Sequence, residues 1–140
     1  MFPADAKILI VDDSSFSRNI VKNGLKELSY WRVYEAESAA TAQVAIEREE
    51  KTGEPVQLMI ADIHMPEMTG IELLKWVRER EASKTLPVII ITSSQEKAEV
   101  VHAAKLGVSH FMIKPFDVAM LKDRLVSAWS KHGKHFVKKT

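Results

Sequence analysis

Five short apolar runs alternate along this chain with five stretches of helical periodicity, and that alternation restricts the fold more than any other feature. The runs are 7–11, 31–36, 56–61, 86–92 and 109–113. Each is short and rich in β-branched or bulky apolar side chains, so each reads as a strand, the second more weakly than the others. Between them, Phe16, Ile20, Val21, Leu25 and Leu28 recur at helical spacing behind a Ser14 or Ser15 cap. Residues 38–50 are Ala-rich and helical, and the loop at 51–55 stops them. Pro66 suits the start of a third helix, where its missing N–H costs nothing. That helix carries Ile71, Leu74 and Val77 inward, with Leu73 and Trp76 widening the stripe. Ser93 and Glu96 have capping-box spacing ahead of a fourth helix that Gly107 closes. Asp117 caps a fifth, with Val118, Leu121, Leu125 and Trp129 inward.

Five βα units in succession predict an α/β fold, a doubly wound five-stranded parallel sheet with helices on both faces. Residues 86–92 form the most hydrophobic strand and are expected at the centre. The 140 residues suit one domain with a single core. The domain is expected over 1–130, and 131–140 reads as a separable basic tail. Net charge is +1, yet the last ten residues hold four lysines and no acid, which leaves the rest at −3. A domain-wide basic face for nucleic acid is therefore not indicated. No apolar run approaches the roughly 20 residues of a membrane helix, so no membrane insertion is expected. The N-terminus does not read as a signal peptide. There is no cysteine, which excludes disulfides, thiolate metal sites and thiol catalysis.

In an open parallel sheet, chemistry collects at the carboxyl ends of the strands. Here those ends carry Asp12 and Asp13, Asp62, Thr92 and Lys114. Three crowded carboxylates repel unless a cation joins them. The donors are hard oxygens with no sulfur and no adjacent histidine, which favours Mg2+ over zinc. Mg2+ bound by few carboxylates completes its shell with water and phosphate oxygens, so the set points to phosphoryl chemistry. A carboxylate can itself be the nucleophile and form an aspartyl phosphate, while a cation and a hydroxyl steady the phosphoryl oxygens.

The set Asp12–Asp13, Asp62 followed by Met65–Pro66 and Gly70, then Thr92, then Lys114–Pro115, resembles the receiver domain of two-component response regulators, and does so over residues 6–129. The resemblance implies a flavodoxin-like (βα)5 fold with strand order 2-1-3-4-5. It implies that Asp62 is the phosphoacceptor, and that Mg2+ is held by Asp12, Asp13, Asp62 and the backbone carbonyl of His64. Lys114 would contact the phosphoryl group, and Thr92 would swing to bond its oxygen. Phe111 occupies the aromatic switch position, without the tyrosine hydroxyl of the family's best-known chemotaxis member. His64 and Ser94 stand where family members tune phosphoryl lifetime. The peptide bond before Pro115 is usually cis in the family.

The partners implied are a sensor histidine kinase as phosphodonor and a downstream protein, such as a flagellar motor switch component or a phosphotransfer protein. A cytoplasmic location goes with them. With no output domain following, a stand-alone chemotaxis-type receiver is the expected form. A relay module, a receiver excised from a larger regulator and a Mg2+-dependent aspartyl-phosphate phosphatase remain as alternatives. The phosphatase class usually has a second acid two residues after its nucleophile, where this chain has His64. His132 and His135 are three apart, as metal ligands can be, but read as part of a solvated tail.

Overall fold

A computed structural model of the chain describes residues 1–93 and 97–139. The strands are β1 (Ile8–Val11), β2 (Val33–Ala36), β3 (Leu58–Asp62), β4 (Val88–Thr92) and β5 (His110–Ile113). The helices are α1 (Ser15–Glu27), α2 (Ala39–Lys51), α3 (Gly70–Glu79), α4 (Lys97–Lys105) and α5 (Val118–Ala128), followed by a π-helical turn (Trp129–Gly133) and α6 (Lys134–Lys139). All strand pairs are parallel, in the order β2-β1-β3-β4-β5. The alternation predicts the doubly wound parallel sheet, and the strand order is the flavodoxin-like one that the family resemblance implies. β4 lies between β3 and β5, but the middle place belongs to β3. Hydrophobicity marks a strand as interior and does not rank interior positions.

Alternation within the strands sorts side chains to two faces. Leu9, Val11, Met59, Ala61, Val88 and Ile90 pack under α2, α3 and α4. Ile8, Ile10, Leu58, Ile60, Ile89 and Ile91 pack under α1 and α5. Burying each of these valine, leucine, isoleucine and methionine side chains contributes roughly 1.5–3 kcal/mol, so both layers hold the sheet rigid beneath its carboxyl edge. Among the described residues, no helix is long and apolar enough to cross a membrane.

Several local expectations shift. The third helix begins at Gly70, and Pro66 lies in the loop before it. Thr69 accepts from the Glu72 N–H while Glu72 accepts from the Thr69 N–H, both at 3.1 Å, a capping box that satisfies two otherwise unpaired donors. Glu67, with φ at 71°, keeps the intervening residues out of the helix. The first helix does bury Val21 and Leu25, but Phe16 and Ile20 at its start are exposed. The proposed Ser93–Glu96 capping box involves Glu96, which lies outside the described residues. Gly107 closes α4 with φ at +82°, as expected.

The basic tail is the largest departure. Residues 129–139 continue as helix, and contacts from Trp129 to Phe136 hold the segment to the body. Phe136 is buried with the α2–α4 layer. Gly133 meets Phe2 and Trp129 so closely that an added Cβ would fall 2.9 Å and 2.8 Å from their rings. His132 Nδ1 is 2.7 Å from Ser109 Oγ, and Lys131 Nζ donates to the Val108 carbonyl at 3.1 Å. His132 is therefore part of the packed body and not of a solvated end. One buried aromatic and one backbone contact point are enough to dock a segment whose composition alone reads as polar.

Candidate functional site

Register decides which strand-end residues meet. β1 pairs with β3 through Val11 and Ala61, so Asp12 and Asp62 emerge side by side. Asp62 lies opposite Ile91, which puts Thr92 one step further out. Thr92 pairs with Ile113, and Lys114 leaves the sheet next. The sequence-predicted acids, hydroxyl and amine thus share one edge.

Lys114 Nζ donates to Asp12 Oδ2 at 3.2 Å and lies 3.8 Å from Asp62 Oδ1. It also reaches Ser17 Oγ at 3.4 Å. The Lys114–Pro115 peptide bond is cis. Asp12 is locked from several sides. Its Oδ1 accepts from the Ser14 N–H at 2.9 Å, and its carbonyl accepts from Arg18 Nη1 at 2.7 Å. Arg18 is itself held by Glu35 at 3.0 Å. Asp13 is exposed, and one ligand oxygen from each of Asp12, Asp13 and Asp62 can lie within 4.8 Å of the others.

Gly70 packs directly behind this edge. Its N–H donates to the Ile63 carbonyl at 2.9 Å, and a Cβ there would collide with the Asp62 carbonyl oxygen. Only glycine lets α3 start this close to the end of β3.

The field at Asp62 is mixed. Its carboxyl is pushed above the ordinary aspartate value, mainly by burial. Lys114 opposes that push, the Asp12 charge adds to it, and the Ile63 N–H and His64 pull the other way. A divalent cation among these three hard-oxygen donors would remove the Asp12–Asp62 repulsion, so the donor set fits Mg2+.

Thr92 is buried, and its carbonyl accepts the Lys114 N–H at 2.9 Å. Phe111 is partly buried against the α2–α4 layer, and its carbonyl accepts from Arg124 Nε at 2.7 Å. The His64 imidazole is half exposed, with Nε2 3.4 Å from Glu99 Oε1 on α4. Ser94 lies outside the described residues.

Two features escaped sequence reasoning. One is Glu99, which no motif marks. The other is a groove of about 500 Å³ beside the site, lined by Phe16, Ser17, Ile20, Lys114, Pro115 and Phe116, with Ser93 at its edge. Helical spacing alone places Phe16 and Ile20 with the buried Val21 and Leu25, so nothing in the sequence marked this groove.

Fold and site together define a receiver-type α/β module. Residues 8–126 match the response regulator receiver domain, and the chain belongs to that family. Within it the resemblance is to the chemotaxis type. The chain is 42% identical over 119 residues to chemotaxis protein CheY1 of Helicobacter pylori, covering 85% of this chain and 93% of that one. It is 41% identical to the chemotaxis protein CheY homolog of Campylobacter jejuni, covering 85% and 88%. Among solved structures, chemotaxis protein CheY4 of Vibrio cholerae matches with a TM-score of 0.76 at 28% identity, covering 89% of this chain and 98% of that one.

Proposed function

We propose that this receiver accepts a phosphoryl group on Asp62 from the phosphohistidine of a sensor histidine kinase, in chemotaxis or motility signalling in the cytoplasm. An Asp62 carboxylate oxygen attacks phosphorus, the P–N bond of the donor breaks, and the leaving imidazole nitrogen keeps the electron pair. The observation that carries this reading is the Lys114 ammonium set between Asp12 and Asp62, at 3.2 Å and 3.8 Å. An ammonium so placed meets negative charge as it develops on the transferring oxygens.

Asp12, Asp13, Asp62 and the His64 carbonyl would hold Mg2+, which supplies charge neutralisation when bound. Thr92 then bonds a phosphoryl oxygen and Phe111 follows it inward. That shifts the face formed by α4, β5 and α5 toward a state that binds a downstream protein. The groove walled by Phe16, Ile20, Pro115 and Phe116 borders Lys114, and it suits an apolar shoulder of the phosphodonor. The protein is on this reading a switch that turns over only its own phosphoryl group.

The test is intact mass after incubation with acetyl phosphate and Mg2+, with Asp62→Asn alongside. One Mg2+-dependent phosphoryl adduct, absent in the variant, is expected. An adduct of equal yield on Asp62→Asn would place the acceptor elsewhere. No adduct on the wild type, with no response to beryllofluoride, would leave a binding module that works without phosphorylation.

A further inference from the structure

Arg18 sits in the first turn of α1, where a cation opposes the helix dipole. Long helical side chains lean toward the N-terminus, and this one reaches back to the loop that carries Asp12 and Asp13. Its Nη1 donates to the Asp12 carbonyl at 2.7 Å, and its Nε donates to Glu35 Oε1 at 3.0 Å. The Arg18 side chain is only 15% exposed. Glu35 lies on β2, an edge strand, opposite Ile10 of β1. Lys22, one turn further along α1, holds the other Glu35 oxygen at 3.4 Å. The Asp12 N–H donates to the Ala36 carbonyl at 3.1 Å. β2 therefore restrains Asp12 at its N–H directly and at its carbonyl through Arg18.

That carbonyl belongs to the peptide unit that joins Asp12 to Asp13. Asp13 is exposed, so the plane of this peptide sets where its carboxylate points. We propose that Arg18 is a positioning residue for Mg2+: braced by Glu35, it fixes the Asp12–Asp13 peptide so that both acids present their oxygens together with Asp62. This rests on the Mg2+ site of the proposed function. Arg18 bonds Glu35 and a main-chain oxygen, and acts on the metal-site carboxylates only through that oxygen. The sign of its effect separates this role from charge alone. A guanidinium beside a cation site repels the cation, so losing it as a charge would tighten Mg2+ binding. Losing it as a brace would loosen binding, because a mobile Asp12–Asp13 peptide must be ordered when the metal binds.

The experiment is an Mg2+ titration of the whole chain, read from the amide resonances of Asp13 and Asp62, with no phosphodonor present. Arg18→Ala is expected to weaken Mg2+ binding about tenfold, as loss of a support behind metal ligands does. Glu35→Ala weakens it in the same direction, and adding it to Arg18→Ala changes nothing more. Glu35→Gln keeps an oxygen acceptor for the guanidinium and binds Mg2+ close to wild type. The Glu35 side chain is 33% exposed on its edge strand, so its variants keep the fold even where Arg18→Ala does not. Adduct formation from acetyl phosphate is followed by intact mass across the same Mg2+ range. In Arg18→Ala its half-maximal rate should need about tenfold more Mg2+, with the wild-type rate reached at saturation. Mg2+ binding by Arg18→Ala and Glu35→Ala that equals or exceeds wild type, with the wild type still phosphorylated, would overturn the positioning role and leave Asp62 as acceptor. A wild type whose resonances ignore Mg2+ would overturn both this role and the metal site it rests on.

Discussion

Lys114 Nζ lies 3.8 Å from Asp62 Oδ1, too far for a good hydrogen bond and close enough for a strong field, while it is bonded to Asp12 at 3.2 Å. The ammonium at the end of β5 is thus committed to β1 and merely biased toward β3. On the proposed function, phosphoryl oxygens arriving at Asp62 would complete what the lysine lacks on that side.

Replacing Asp62 is expected to stabilise the fold. Its carboxyl is held above the ordinary aspartate value, mainly by burial, so above pH 3.8 the folded state binds more protons than the unfolded one. Stability then falls as pH rises through that window and stays lower at pH 7. Asp62→Asn removes this cost and keeps the shape. A rise in Tm at pH 7 is expected. The difference should vanish near pH 3. A scanning calorimetry series in pH checks both points, and a lower Tm for the variant at pH 7 contradicts them.

Lys114→Ala leaves Asp12 and Asp62 facing each other without their shared cation. The carboxyl of Asp62 should rise further above its ordinary value, because Lys114 is the largest influence holding it down. Beryllofluoride should no longer move the backbone resonances of Thr92 and Phe111, since the link from β5 to the phosphoryl position is gone. Carboxyl and amide NMR titrations read the two effects separately. Thr92 and Phe111 shifts of wild-type size would show that the coupling runs elsewhere.

At the opposite end of the sheet, Lys7 and Glu49 form a buried ion pair at 2.7 Å, and Lys7 also donates to the Glu54 carbonyl at 2.6 Å. Glu49 is held below its ordinary value by the Lys7 hydrogen bond first and Arg48 second. Its contribution is present above pH 4.5 and is lost as pH falls through its depressed folded value. Lys7→Met strands that carboxylate with Arg48 alone and should cost about 2 kcal/mol at pH 7. The cost should shrink in acid as Glu49 is neutralised. Urea titrations at pH 7 and pH 3.5 make the comparison, and an equal loss at both would assign the effect to packing of the lysine stem.

The alternation of apolar runs and helical periods was enough to read the sheet, because strands buried on both faces are written as continuous apolar runs. The acid edge was legible for the same reason: a carboxylate ending such a run has nowhere to go but the carboxyl end of the sheet. Other features depend on contacts between distant residues. Phe16 has helical spacing, but spacing does not say which side is covered. Pro66 is acceptable in a first turn, yet Thr69 and Glu72 offer reciprocal caps that Pro66 cannot match. His64 and Glu99 are distant in sequence and approach to 3.4 Å only in the fold. Phe136 stands alone among lysines with no period around it, and the neighbouring Gly133 meets Phe2, from the other end of the chain.

His132 gives the docked segment a pH signature. Burial, with help from Arg78 and the cations nearby, lowers its pKa to about 4 from 6.5. Between these values the unfolded chain binds a proton that the folded protein refuses, so stability is lost as pH falls from 6.5 toward 4. His132→Gln, which still offers a partner to Ser109, should flatten stability against pH across that range. The urea midpoint measured from pH 7 to pH 4 is the check. Parallel wild-type and variant profiles would mean that His132 titrates freely and the segment is undocked.

Phe136→Ala decides whether residues 134–139 belong to the folded body. The ring is 5% exposed and joins the layer that contains Val108 and Leu106. Truncating a buried phenylalanine costs 3–5 kcal/mol in a closed core. Near a chain end the surroundings can relax, so a loss of about 2–3 kcal/mol is expected. That corresponds to a drop in Tm of about 5–10 °C. Lys134→Ala, on the exposed side of the same short helix, controls for helix propensity and should change Tm by less than about 1 °C. Gly133→Ala should act with Phe136→Ala, since its methyl would press on Phe2 and Trp129 and lift the same segment. A frayed tail would make all three variants indistinguishable from wild type. The docked helix makes the first and third large and the second silent.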